Sequence, residues 1–256
     1  MKPVMVTLAG HAIYYYGFFF ALGILAATLV ASSEFKRKGL PADWGYDLVL
    51  GVTVQGFLAA KLFFVATQVA QGRGTSDWHL LDGQGMSIAG SILAFPLFCA
   101  VYARWRRITW PFVLDVAMLG GCLGHALGRL GCFMSGCCYG RPSDLPWAVT
   151  FSDPLSAAPR GIPLHPTQLY DALASFTLFA VLMALRHRKR FEGQFIVIAL
   201  AYYGFTRAVL ETFRGDKLRG VYYGGLITSS QIVCVVIVVL SLVLYRRFRS
   251  VEPRRT

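Results

Sequence analysis

Seven long apolar stretches dominate the chain, at about 12–32, 47–70, 87–103, 110–131, 168–185, 193–212 and 225–245, each separated from the next by a shorter polar or basic segment. A helix needs about 20 mostly apolar residues to cross the hydrocarbon of a bilayer, so each stretch predicts one transmembrane helix. The predicted class is all-α, a polytopic membrane protein of about seven spans, with its termini on opposite sides. Between the fourth and fifth spans lies the segment 132–167, rich in Pro, Gly, Ser and Asp. With no apolar span of its own it predicts a cap at the membrane surface, leaving residues 1–256 as a single integral-membrane domain. No internal repeat recurs at a fixed period, and an odd number of spans disfavours the duplicated halves common in transporters.

Composition strengthens this picture. Of 256 residues 55% are hydrophobic and only 15% charged, whereas soluble domains carry about a quarter charged. The net charge of +12 does not indicate a nucleic-acid partner, because the base is not gathered on one soluble face. It falls in four clusters: Lys36, Arg37 and Lys38; Arg104, Arg106 and Arg107; Arg186, Arg188, Lys189 and Arg190; and Arg246, Arg247, Arg249, Arg254 and Arg255. All four follow odd-numbered spans, so the positive-inside rule makes that side cytoplasmic and puts the N-terminus and the 132–167 cap outside. The first span reads as a retained anchor, since only Lys2 precedes it while a basic cluster follows, the reverse of a signal peptide.

Charged side chains inside spans are costly and mark the working interior of a membrane protein. On the fourth span Asp115, Cys122 and Arg129 recur every seven residues with His125 one turn before Arg129, while Gly120, Gly124 and Gly128 form a doubled GxxxG suited to close helix packing. On the sixth, Arg207, Glu211 and Arg214 share a face. Arg207 and Glu211 form an i, i+4 ion pair, and Arg214 has no acid at i−4 or i+4. Lys61, in the outer half of the second span, is either a snorkelling anchor or a ligand contact. Arg129 and Arg214 thus reach the outer interface on different helices, where the abundant anionic groups are lipid phosphates and the planar guanidinium fork suits phosphate oxygens.

Two motifs go further. His165-Pro166-Thr167-Gln168-Leu169-Tyr170-Asp171 opens the fifth span, and Gly128-Arg129-Leu130-Gly131-Cys132-Phe133 closes the fourth. With Tyr16-Gly17, Gly193-Gln194, the Tyr203-Gly204-Phe205-Thr206-Arg207 run, Glu211, Phe213-Arg214 and Gln231, the chain resembles the prolipoprotein diacylglyceryl transferase family over most of its length. The resemblance implies a multi-pass bacterial inner-membrane enzyme with a periplasmic cap. Its activity would move a diacylglyceryl group from phosphatidylglycerol to the lipobox cysteine thiol of prolipoproteins, releasing glycerol phosphate, with membrane lipids as partners and no metal or organic cofactor. It also implies Arg129 and Arg214 as catalytic, phosphate-holding residues and Tyr16 as a substrate-binding one; Lys61, Gln168, Tyr170, Arg207 and Glu211 are further candidates for substrate binding.

Departures from the family pattern cluster at the chemistry. A His-Gly-Gly element is replaced by Ala89-Gly90-Ser91, and the Asn-Phe, Asn and Glu after Gly-Arg-x-Gly read Cys132-Phe133, Ser135 and Cys137. His165 is therefore the expected base for the acceptor thiol, with His125 second. Cys132, Cys137 and Cys138, outside the membrane, are expected either as a disulfide from Cys132 to Cys137 or Cys138 that braces the loop bearing Arg129, or as a reactive thiolate beside that arginine. A metal site is not expected, because adjacent cysteines fit closed tetrahedral geometry poorly and C-x2-C is absent. Two alternatives to the transferase reading remain: a divergent paralogue with another acceptor or periplasmic thiol chemistry, and a non-catalytic phospholipid-binding or transport protein.

Overall fold

A computed structural model describes residues 2–8, 10–72, 85–214, 221–222 and 227–251. Each apolar stretch becomes a helix: α1 Tyr15–Arg37, α2 Trp44–Ala70, α3 Ile88–Arg106, α4 Trp110–Ser135, α5 Thr167–Leu185, α6 Gln194–Glu211 and α7 Ser229–Val251. Among the described residues five helices, α1 to α5, are long and apolar enough to cross a membrane. Among the described residues the remaining strands form three short antiparallel pairs: β1 Val4–Leu8 with β2 His11–Tyr14, β3 Val149–Thr150 with β4 Pro163–Leu164, and β5 Val221–Tyr222 with β6 Ile227–Thr228. Of the residues named from the sequence, Arg254 and Arg255 lie outside the described residues, as does the side chain of Gln231.

The first span starts later than its apolar run because residues 11–14 are the second strand of a hairpin, where Val4, Val6 and Ile13 favour extended backbone. The fourth runs past its expected end at 131, so Cys132 belongs to the last turn of α4 and not to the cap. Two backbone bonds close that turn, Gly136 N–H to Phe133 O and Cys137 N–H to Cys132 O. Together with the left-handed Gly136 (φ +72°) they make a Schellman stop. The chain therefore turns at the glycine after Ser135, not at Gly131.

Two compact units are distinct. One comprises residues 30–117. There α2 and α3 pack together, Phe35 is wholly buried between the edges of Trp44 and Phe112, and Tyr102 Oη donates to Trp44 O at 2.7 Å. Arg106 pairs with Asp47 and lies over Trp105 and Trp44. Asp115 and Lys61 are both buried in this unit, so Lys61 is not the exposed anchor of the snorkelling reading.

The other comprises 1–29 and 118–256. Gly120 and Gly124 of α4 lie against Ala27 and Gly23 of α1, with the carbonyls of those residues 2.9 and 3.3 Å from where a Cβ would stand. The small-residue stripe is a packing surface, as its spacing implies. Gly128 has nothing against it, and Gly131 extends the contact onto Tyr16 and Phe19. The segment between α4 and α5 has a small core of its own, in which Phe151, Ala158 and Leu164 are buried against Phe133, Tyr139 and Val149.

Candidate active site

The site grows from the end of α4 within the larger unit. Arg129 is gripped at one nitrogen: its Nε lies 2.9 Å from Asp171 Oδ2 on α5 and 3.1 Å from His125 Nε2 one turn back. Because Nε–H donates, His125 Nε2 must accept, which assigns the proton to Nδ1 for the 2.8 Å bond to Ser175 Oγ. His125 is thus a neutral orienting group whose second nitrogen is already committed. Both the hydrogen bond and the ion-pair contact of Arg129 fall on Nε. A guanidinium fixed at Nε is arranged for an oxyanion with paired oxygens at its fork.

Arg214 arrives from the other direction, just after α6. Its backbone pairs with Gly140, whose neighbours complete the join: Arg141 N–H donates to Phe213 O at 2.9 Å, His165 N–H to Arg141 O and Gly140 N–H to His165 O, both at 3.0 Å. Residues 140–142 are thereby a strap between the start of α5 and the end of α6. No side chain fits at Gly140, since a Cβ there would stand 2.6 Å from His165 Cβ and 2.7 Å from Phe213 O. Both predicted arginines come within electrostatic reach of one group, the Cys138 thiol. Arg207 keeps the expected ion pair with Glu211, at 2.9 Å along α6.

His165 is buried in an aromatic corner. Its ring centroid lies 5.2 Å from that of Phe213 and 6.1 Å from that of Tyr170, Nδ1 is 3.3 Å from Tyr170 Oη, and Trp147 Nε1 donates to the same hydroxyl at 2.8 Å. Burial first, and Arg141 second, push its imidazolium below the usual histidine range, so the ring is neutral at neutral pH. Gln168, fully buried, donates from Nε2 to Cys137 O at 2.7 Å. Its Oε1 is without a partner among the described residues. Thr167 Oγ1 donates to Cys138 O at 2.8 Å. Tyr16 stands against Gly131, within electrostatic reach of Arg129 and the three cysteines.

Those cysteines are all thiols, and their sulfurs lie within 4.8 Å of one another. The Schellman stop explains the first two, since it stacks the residue after Gly136 on the last turn of α4. Cys138 joins them with its backbone left-handed (φ 59°), so that two adjacent cysteines turn their sulfurs to one place. A disulfide would therefore form by oxidation of neighbours already in place. Hydrogen bonds from the Cys132 and Cys137 thiols, then Arg129 and Arg214, hold the Cys138 thiol well below the usual range, while the same bonding pushes Cys137 up.

Arg129, Arg214, His165, Gln168, Tyr170 and Tyr16 all lie in the larger unit, and Lys61 in the other. The sequence motifs contained Asp171 and Tyr203 without giving either a role, and Tyr203 lies within electrostatic reach of Arg129 and Asp171; Ser175, Trp147 and Arg141 were not singled out. Asp171 and Ser175 stand at i and i+4 on α5, a signal that would have marked one polar face.

A family model described as prolipoprotein diacylglyceryl transferase matches residues 3–247. A phosphatidylglycerol–prolipoprotein diacylglyceryl transferase of Clostridium tetani is 30% identical over 98% of this chain and 100% of its own. One of Finegoldia magna is 28% identical over 98% and 97%, and one of Geobacter sulfurreducens 33% identical over 84% and 82%. The motifs at Arg129 and His165, their convergence in one unit, and a match spanning almost the whole length agree: this chain belongs to the prolipoprotein diacylglyceryl transferase family.

Proposed function

We propose that this protein transfers a diacylglyceryl group from phosphatidylglycerol to the lipobox cysteine thiol of prolipoproteins, on the outer side of a bacterial inner membrane. One observation carries the reading: Asp171 and His125 hold Arg129 at Nε, on the side away from the fork of terminal nitrogens that pairs with an oxyanion. With Arg214 beside Cys138, two guanidiniums grip the lipid phosphate and stabilise the charge that builds on it as the glyceryl carbon–oxygen bond breaks. The thiol sulfur forms the new carbon–sulfur bond, glycerol phosphate leaves with the electron pair, and neutral His165 receives the thiol proton. Gln168 Oε1, buried and lacking a protein donor, accepts from a headgroup hydroxyl, and Tyr16, Tyr170 and the Arg207–Glu211 pair line the substrate path.

In this reading the whole chain acts as one seven-span domain, its N-terminus and the cap periplasmic and its basic C-terminal tail cytoplasmic. The test is genetic. Expression of the chain in a bacterium depleted of its own transferase restores lipoprotein modification, and Arg129→Lys does not. Failure of the wild type, at normal expression and with a cognate prolipoprotein supplied, refutes the reading and favours the paralogue with another acceptor.

A further inference from the structure

Cys132, Cys137 and Cys138 are more than a brace needs. A disulfide takes two sulfurs and a nucleophile one, yet three are gathered within 4.8 Å. The third is recruited at a cost, since a non-glycine residue in left-handed backbone such as Cys138 (φ 59°) is disfavoured by about 1–2 kcal/mol. Strain of this kind persists where surrounding structure enforces it. Here the enforcement is visible: Thr167 Oγ1 holds the Cys138 carbonyl, Gln168 Nε2 the Cys137 carbonyl, and the Cys137 amide is bonded to Cys132 O. The cluster is half-buried, closed enough to be ordered and open enough for a ligand to enter.

Three thiolates about 2.3 Å from a tetrahedral ion lie about 3.8 Å apart, so sulfurs already within 4.8 Å need close by an ångström at most. A dication bound by three thiolates carries one net negative charge, which Arg129 and Arg214 are placed to offset. We propose that Cys132, Cys137 and Cys138 form a tri-thiolate site for one thiophilic divalent ion of the zinc class, with the ion's remaining position open to an incoming sulfur ligand. Sites with three protein ligands and one open position are the catalytic form of zinc coordination. The second half of the proposal rests on the transferase reading: the incoming ligand is the acceptor's cysteine, whose S–H proton passes to neutral His165 as the sulfur binds. The ion would then perform the thiol activation that the family's histidine position, here Ala89, cannot.

The test uses the full-length protein in detergent, reduced with a non-thiol reductant, loaded with Co2+ and freed of excess ion. The expected result is about one ion per chain with a sulfur-to-cobalt charge-transfer band. Both are lost in Cys137→Ser and Cys138→Ser, and both are kept in Cys234→Ser, whose sulfur is buried on α7. In the wild type, mass spectrometry should show that Zn2+ protects these three thiols from alkylation, which needs no variant to fold. Binding no greater in the wild type than in Cys138→Ser, or alkylation of the three thiols unchanged by Zn2+, overturns the site in favour of a disulfide or a single reactive thiol. A lipobox peptide should raise the charge-transfer intensity by about one third, from three thiolates to four. No change with the peptide removes the open position, whereas metal binding in a chain that fails to restore lipoprotein modification sinks the transferase reading and leaves the metal site standing.

Discussion

Replacing Asp171 by asparagine tests whether Arg129 is positioned as well as charged. Arg129 Nε and Asp171 Oδ2 are 2.9 Å apart, and the two side chains are only 18% and 10% exposed. At an effective dielectric of about 20 their attraction is roughly 6 kcal/mol, an upper figure before the cost of removing both charges from water is subtracted. Asparagine keeps an oxygen that accepts from Nε–H and removes only the charge assistance, a difference of about 1–2 kcal/mol. That corresponds to a loss of roughly five- to thirtyfold in kcat/KM. Asp171→Ala also removes the acceptor and leaves the arginine's charge uncompensated, at about 3–5 kcal/mol, and should lower the thermal midpoint as well. The assay is modification of a lipobox peptide in phosphatidylglycerol vesicles, followed by mass spectrometry at equal enzyme. Lysine has no counterpart of Nε, so Asp171→Asn added to Arg129→Lys should cost less than about twofold more. Retention of wild-type kcat/KM in Asp171→Asn, or fully multiplicative losses in the double variant, would refute the positioning role.

Arg129→Lys and Arg214→Lys should both impair phosphatidylglycerol binding and transfer although each keeps its charge, because a point ammonium does not reproduce paired recognition; full activity in either reduces that residue to a helix-end anchor. His165 should give a pH–rate profile that stays flat on acidification past its ordinary value of 6.5 and falls only below it, and His165→Gln should abolish that limb. The same lowered value makes the folded state prefer the neutral ring, so its stabilising contribution is full above 6.5 and is lost as pH falls through that value toward the folded one. A chemical denaturation series from neutral to acid pH reads it by comparison with His165→Gln. A cysteine introduced near the N-terminus should label from outside intact cells while one introduced beside Arg255 should not, and the opposite pattern would invert the topology.

The helices were legible in the sequence because burial in a membrane leaves long unbroken apolar runs, and all seven appear within a few residues of their predicted limits. The pairing of Arg207 with Glu211 was equally legible, since both partners lie on one helix and the 3.6-residue period alone brings them together. Arg129 with Asp171 was not, because that contact depends on how α4 and α5 are rotated about their axes, which no single-helix pattern contains. The hairpin at Val4–Leu8 and His11–Tyr14 was hidden because its short alternating strands merge directly into the apolar run of α1. The three cysteines were recognised as a group, but their convergence came from backbone handedness at Gly136 and Cys138, and a cysteine in left-handed backbone has no sequence signature.

The strap at residues 140–142 divides the cap into parts that answer differently to changes in length. Its bonds to His165 and Phe213, and the pairing of Pro142 with Leu164, close the base of the excursion from 143 to 162. Extra residues placed at its rim, for example beside Leu155, which is 64% exposed, would enlarge a loop whose ends are already joined. Closing a longer loop adds only about 0.6 kcal/mol for each doubling of its length. The rim of this excursion is thus a place where added sequence, natural or grafted, can be accommodated without disturbing Arg129, Arg214 or His165, whereas a single added residue between Cys138 and Arg141 would break the strap's register against both of its neighbours.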